Sequence, residues 1–182
     1  LVSKFISKFI DLSAFGKNLI EGILKIAIFI GYTALTALTK DIRRTYEYHG
    51  AEHKTIACYE HEEDLTVENV KKYTRFHPRC GTSFIFLVLF ISIFVNTIFR
   101  VSWASILLRV VIKIALLPIV TGIAYELIRL AGRYDNIFTK IISAPGLWIQ
   151  RITTSEPDES QIECAIAALR ACIPENKEDD KW

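Results

Sequence analysis

The apolar residues of this chain are gathered into long blocks instead of recurring at one helical or strand period, and that blocking limits the fold more than any motif does. Residues 83–99 include no charged side chain. A helix of that length, at ~1.5 Å per residue, covers most of a hydrocarbon core of ~30 Å. In residues 19–38 only Glu21 and Lys25 are charged, both near the start of the run, where long side chains reach the interface. Residues 104–130 are largely apolar but carry Arg109, Lys113 and Glu126, with Arg129 at their end, so one side of that segment must face protein or water. With 51% hydrophobic residues and a mean hydropathy of +0.29, the chain is expected to be an all-α, polytopic membrane protein with about three transmembrane helices.

Charge sets the expected topology. Arg100 is the sole cation in the short connector 100–103, whereas Lys40, Arg43, Arg44, Lys54, Lys71, Lys72, Arg75 and Arg79 fill the segment after the first span, and Arg129, Arg133, Lys140 and Arg151 follow the third. The positive-inside rule puts both cation-rich segments in the cytoplasm and makes the second and third spans a hairpin. The expected organisation is residues 1–15 as an amphipathic interfacial helix or the end of an upstream span; 16–38 as the first transmembrane helix; 39–82 as a histidine-rich cytoplasmic insert; 83–131 as the hairpin; and 132–182 as a cytoplasmic tail with an amphipathic helix. This describes a multi-pass protein of a bacterial inner membrane, with the lipid bilayer as its first partner. Ionisable residues within the third span imply a further partner, a second copy or another membrane protein. A formal net charge of only +2 gives no footing for nucleic-acid binding. The absence of methionine implies that Leu1 is not the native start.

Local signals fill in the polar segments. Residues 41–60 read as a helix continuing from the membrane, with Gly50 allowing close backbone approach at a cost of up to ~1 kcal/mol. Thr66 is placed to cap a short helix, stapled by Leu65 and Val70 and ending near Pro78. The run 144–148 reads as a chain break that sets Trp148 at the membrane interface. Beyond it, Ser155 or Asp158 caps a helix with a stripe of Ile162, Ala165 or Ile166, Leu169 and Ile173. The four cysteines have no paired spacing and are expected to be free, with Cys164 and Cys172 buried as small apolar residues.

Chemistry concentrates between the first two spans. His49 and His53, four residues apart, share a helix face, and Glu52 beside them can carry protons. The pattern His-x-x-Glu-His is the inverted zinc-protease signature of the inverzincins. His77 is the leading third ligand, and Cys80, three residues on, can bind as thiolate. Together His49, His53, His77 and Cys80 would make a closed structural zinc site, whereas three protein ligands would leave a position for water. Arg79 is a candidate to stabilise a developing oxyanion, or else to pair with Glu52 or Glu60.

The segments Tyr48-His-Gly-Ala-Glu-His-Lys54, Leu65-Thr-Val-Glu-Asn-Val70, His77-Pro-Arg-Cys-Gly-Thr-Ser-Phe84, Pro145-Gly-Leu-Trp-Ile-Gln150 and Thr153-Thr-Ser-Glu-Pro157, in that order, resemble the YqhQ-like family of bacterial membrane proteins. The resemblance implies a metal-dependent enzyme, without a reaction, and a glycine-rich segment upstream of the residues present. The likeness to inverzincins adds Glu126, near the cytoplasmic end of its span, as another candidate third ligand. The expected function is then a Zn2+-dependent hydrolase at the cytoplasmic surface, acting on a peptide or lipid-linked substrate with Glu52 and Arg79 as its catalytic groups. The alternative is a non-catalytic assembly factor or channel-like oligomer with a structural His/Cys site.

Overall fold

A computed structural model describes residues 14–98 and 106–175, all in helices and their connections: α1 (Ala14–Thr36), α2 (Lys40–Glu60), α3 (Val67–Lys71), α4 (Gly81–Ile98), α5 (Ile106–Arg133), α6 (Ile137–Thr153) and α7 (Glu159–Cys172). The expected interfacial helix over residues 1–13, the connector 100–103, the side chain of Arg109 and the charged tail beyond residue 175 lie outside the described residues. No strand occurs among the described residues.

The helices sort into an apolar group and a polar group. In the first, α4 lies against α1, α5 and α6, and its contact with α5 is centred on Ile91, Val120 and Ala124. Within α1 and α5, residues 19–36 and 110–133 are long and apolar enough to cross a membrane, and only 11% of either stretch is buried inside the molecule. Helix α4 is apolar over Gly81–Val95, a shorter stretch. In the second group, α2, α3 and α7 enclose Ala51, Cys58, Val70, Ile162 and Ile166. The cap on α3 forms as expected, with Thr66 Oγ1 accepting from Asn69 N–H at 3.3 Å, and Leu65 packs on the Val70 cluster. Asp158 caps α7 through a reciprocal box with Gln161.

Four local expectations change. A turn at residues 37–39 separates α1 from α2, closed by Thr39 N–H on Thr36 O at 3.0 Å. Helix α3 stops at Lys71, well before Pro78. Cys164 and Cys172 are exposed. Cys164 follows Ile162 by two residues and so points away from the stripe that packs on α2. Finally, α6 runs unbroken through Pro145 and Gly146. Pro145 falls on the exposed side, where its missing N–H costs the helix one hydrogen bond without breaking it. Gly146 is needed for contact, since a Cβ there would lie 2.6 Å from both Cβ and Oγ of Ser83.

Gly50 also serves a close approach. Ser155 N–H donates to Tyr46 O at 2.8 Å, and a Cβ at position 50 would lie 2.1 Å from the Ser155 carbonyl oxygen. Because backbone and not a flexible side chain blocks that space, Gly50→Ala is expected to destabilise the packing of residues 153–157 on α2 by ~1–3 kcal/mol. The loss should register as a lower Tm in detergent, whereas alanine at Gly31, which meets nothing within 4 Å, leaves Tm nearly unchanged.

Candidate metal centre

The spacing of His49 and His53 on α2 brings their rings edge to face with centroids 4.4 Å apart. Each ring is held by a backbone carbonyl from elsewhere in the chain. His49 Nδ1 is 2.8 Å from Thr153 O, and His53 Nδ1 is 2.6 Å from Arg75 O. A carbonyl oxygen only accepts, so in the neutral rings the proton is on Nδ1 and each Nε2 presents a lone pair. This carbonyl-anchored imidazole is the usual outer support of a metal-bound histidine.

Both lone pairs face Cys80. His49 Nε2 lies 3.4 Å from Cys80 Sγ, and the ligand atoms of His49, His53 and Cys80 all fall within 4.8 Å of one another. Nitrogen and sulfur donors on a tetrahedral zinc ion are separated by ~3.6 Å, given bonds of ~2.0–2.1 Å and ~2.3 Å, close to the 3.4 Å between His49 Nε2 and Cys80 Sγ. Thr82 Oγ1, 3.0 Å from Cys80 Sγ, supports the sulfur and contacts Thr153 Oγ1 at 3.3 Å.

Cys80 reaches this position because the loop before α4 is clamped. Gln150, fully buried on α6, accepts from His77 N–H at 2.8 Å and donates to His77 O at 2.7 Å and to Ser83 Oγ at 2.8 Å. The Arg75 guanidinium reaches Thr154 O at 2.5 Å and Thr154 Oγ1 at 2.6 Å, joining the same loop to the end of α6. Buried Lys54 pairs with Glu156 at 2.7 Å. Sequence spacing alone does not single out Arg75, Gln150, Thr153 or Thr154 as site residues, although two of the resembling segments contain Gln150, Thr153 and Thr154.

The remaining candidates are placed elsewhere. His77 is buried, but its Nδ1 accepts from Arg79 N–H at 3.3 Å and its Nε2 contacts Glu60 at 3.3 Å. Both ring nitrogens are occupied, and the ring centroid is 5.7 Å from that of His53; Cys80, and not His77, is the residue grouped with His49 and His53. Arg79 pairs with Glu60 and lies across Gly132. Burial works to raise the Glu60 carboxyl, but His77 and Arg79 outweigh it and hold Glu60 below its ordinary value. Glu52 is exposed on the flank of the pair, where its charge acts on His49. Glu126 is exposed on α5, pairs with Arg129 at 3.7 Å and stands outside the converging group.

Burial pushes the Cys80 thiol up, but hydrogen bonding with His49, His53 and Thr82 more than offsets this and brings it from 9.0 down to about 4, the Cys80 proton passing to the imidazole side of the contact. The Cys80 bond in turn raises His49 above 6.5, against the opposing effect of burial. In the metal-free protein the thiolate therefore adds stability above pH 9.0, and the gain is lost as pH falls through about 4; the raised His49 adds stability below pH 6.5, lost as pH rises through its folded value. At about pH 6, where an ordinary thiol is protonated, metal-free protein is expected to show the ultraviolet absorbance of one thiolate. Cys80→Ser should abolish that signal, and His49→Ala should shift its midpoint upward.

Comparison with known proteins agrees with the resemblance carried by the motifs. The chain is similar to the uncharacterized protein YqhQ of Bacillus subtilis (strain 168), with 41% identity over 155 residues, 85% of this chain and 48% of YqhQ. It spans about half the length of that curated relative. No solved structure matches it. The family described as a protein of unknown function, DUF1385, matches residues 1–175, and with nearly the whole chain covered, this protein belongs to the DUF1385 family.

Proposed function

We propose that this protein binds a divalent transition metal, zinc first, through His49, His53 and Cys80, and uses it for hydrolysis at the cytoplasmic surface of a bacterial membrane. The observation that carries the proposal is the pair of Nδ1–carbonyl bonds, which turn both Nε2 lone pairs toward one thiol. Three lone pairs facing one point repel unless a cation or shared protons lie between them. Imidazole with thiolate suits zinc better than magnesium or calcium. The membrane setting is supported by the apolar stretches of α1 and α5, which are hardly buried where the core helix of a soluble protein would be. Lys113, exposed on α5, and the Glu126–Arg129 pair call for partner helices from a second copy or another membrane protein.

His49, His53 and Cys80 would hold a zinc ion that, when bound, would supply Lewis acidity and a water activated near neutral pH. Around that centre, Glu52 on the exposed flank takes and returns the proton. Thr82 and Thr153 hold the sulfur and the His49 ring in place. Arg79, committed to Glu60, fixes the loop ahead of Cys80 instead of serving as an oxyanion donor.

Elemental analysis of protein purified in detergent tests the ligand set. Wild type, His77→Ala and Glu52→Gln are expected to carry about one equivalent of metal, and His49→Ala, His53→Ala and Cys80→Ser close to none. Retention of metal by all three ligand variants would refute the site. A panel of ester, phosphoester and peptide substrates then tests the chemistry. Glu52→Gln should keep its metal and lose hydrolysis by ~100-fold or more, while unchanged behaviour would assign the metal a structural role.

A further inference from the structure

Helix α6 has two faces of unlike purpose. Its buried side carries Gly146 against Ser83, Gln150 on the His77 backbone and Thr153, whose carbonyl anchors His49. Its other side exposes Ile137 at 78%, Phe138 at 60%, Ile141 at 66% and Trp148 at 71%. At ~100° per residue these four positions fall within a stripe of roughly 100°, the width of an apolar face that normally meets a core. Exposed Lys140 and Arg151 border one edge of it.

We infer that α6 lies in the plane of the membrane interface, with Ile137, Phe138, Ile141 and Trp148 sunk into the lipid and the His49–His53–Cys80 group held on the side away from it. The occupant follows from continuity, because α6 begins at Ile137, directly after the exposed apolar helix α5 ends at Arg133. A stripe joined to a lipid-facing helix, rimmed by cations and carrying a tryptophan, matches an interfacial helix immersed by ~5–10 Å. A helix is ~10 Å across, so the metal centre then sits at the level of the headgroups. The unbroken passage through Pro145 has its use here, since a break would part the lipid-facing residues Ile137 and Ile141 from the site-facing residues Gln150 and Thr153. The inference rests on the membrane reading above and deepens it.

The test uses the full chain in lipid nanodiscs with Trp103→Phe and Trp182→Phe, which leaves Trp148 as the one remaining tryptophan of three. Trp148 emission is expected to be quenched by lipids brominated near the headgroup end of the chain and sheltered from aqueous iodide. Quenching by iodide as strong as for free indole overturns the inference. Shelter from iodide and from every brominated lipid also overturns it, since protein then covers the face. Leu117→Trp, placed midway along α5 in a background with Trp148→Phe as well, separates the two layers of the argument. Quenching there by lipids brominated near the chain end upholds the membrane reading whatever Trp148 does, and the absence of quenching by any brominated lipid refutes that reading on its own.

Discussion

The carbonyls of Thr153 and Arg75 decide what the two α2 histidines are able to do, because each accepts a hydrogen bond from Nδ1–H and leaves Nε2 as the free nitrogen. Had either ring been anchored through Nε2, the opposite nitrogen would face a different neighbour and the convergence on Cys80 would be lost. As built, two ring nitrogens and a strongly acidified sulfur share one small volume. In the absence of metal the proton shared by Cys80 and His49 stabilises the group; under the proposed function a metal ion would displace it, so that binding would release protons and weaken as pH falls toward about 4.

Those carbonyls belong to segments held by side chains remote in sequence. Thr153 closes α6, and Arg75 lies in the loop that Gln150 clamps through the backbone of His77. Gln150 is a long polar side chain with no solvent exposure, tolerable only because its amide nitrogen and oxygen are both matched. Gly50 lets residues 154–157 lie directly on α2, and Gly146 lets α6 lie directly on α4. Small residues at two crossings and one buried amide thus set the loop, the helix end and α2 in register around the three donors.

The sequence makes some of this plain and hides the rest for a physical reason. Apolar blocks reveal α1, α4 and α5, and spacing alone places His49 and His53 on one face, because both signals are local. The cap at Thr66 and the stripe of α7 are local as well; Gly50 is marked by its residue type, but the backbone it admits, at Ser155, is remote in sequence. The choice between His77 and Cys80 is not. His77-Pro78-Arg79-Cys80 offers both donors within four residues, and only Gln150, Glu60 and the Arg79 amide, acting through tertiary contacts, direct His77 away and leave Cys80 to face the imidazoles. Pro145-Gly146 shows the converse error. The pair signals a break by local rules, yet α6 continues because packing on Ser83 demands the glycine and the proline finds the open side.

Cobalt substitution tests the central claim most directly, since Co2+ reports ligand type and geometry through its spectrum. If His49, His53 and Cys80 form one metal centre, the Co2+ protein will show the intense visible bands of a four-coordinate ion together with a sulfur-to-cobalt charge-transfer band, and Cys80→Ser will remove the latter. A weak octahedral spectrum without that band, the same in wild type and Cys80→Ser, would contradict the account.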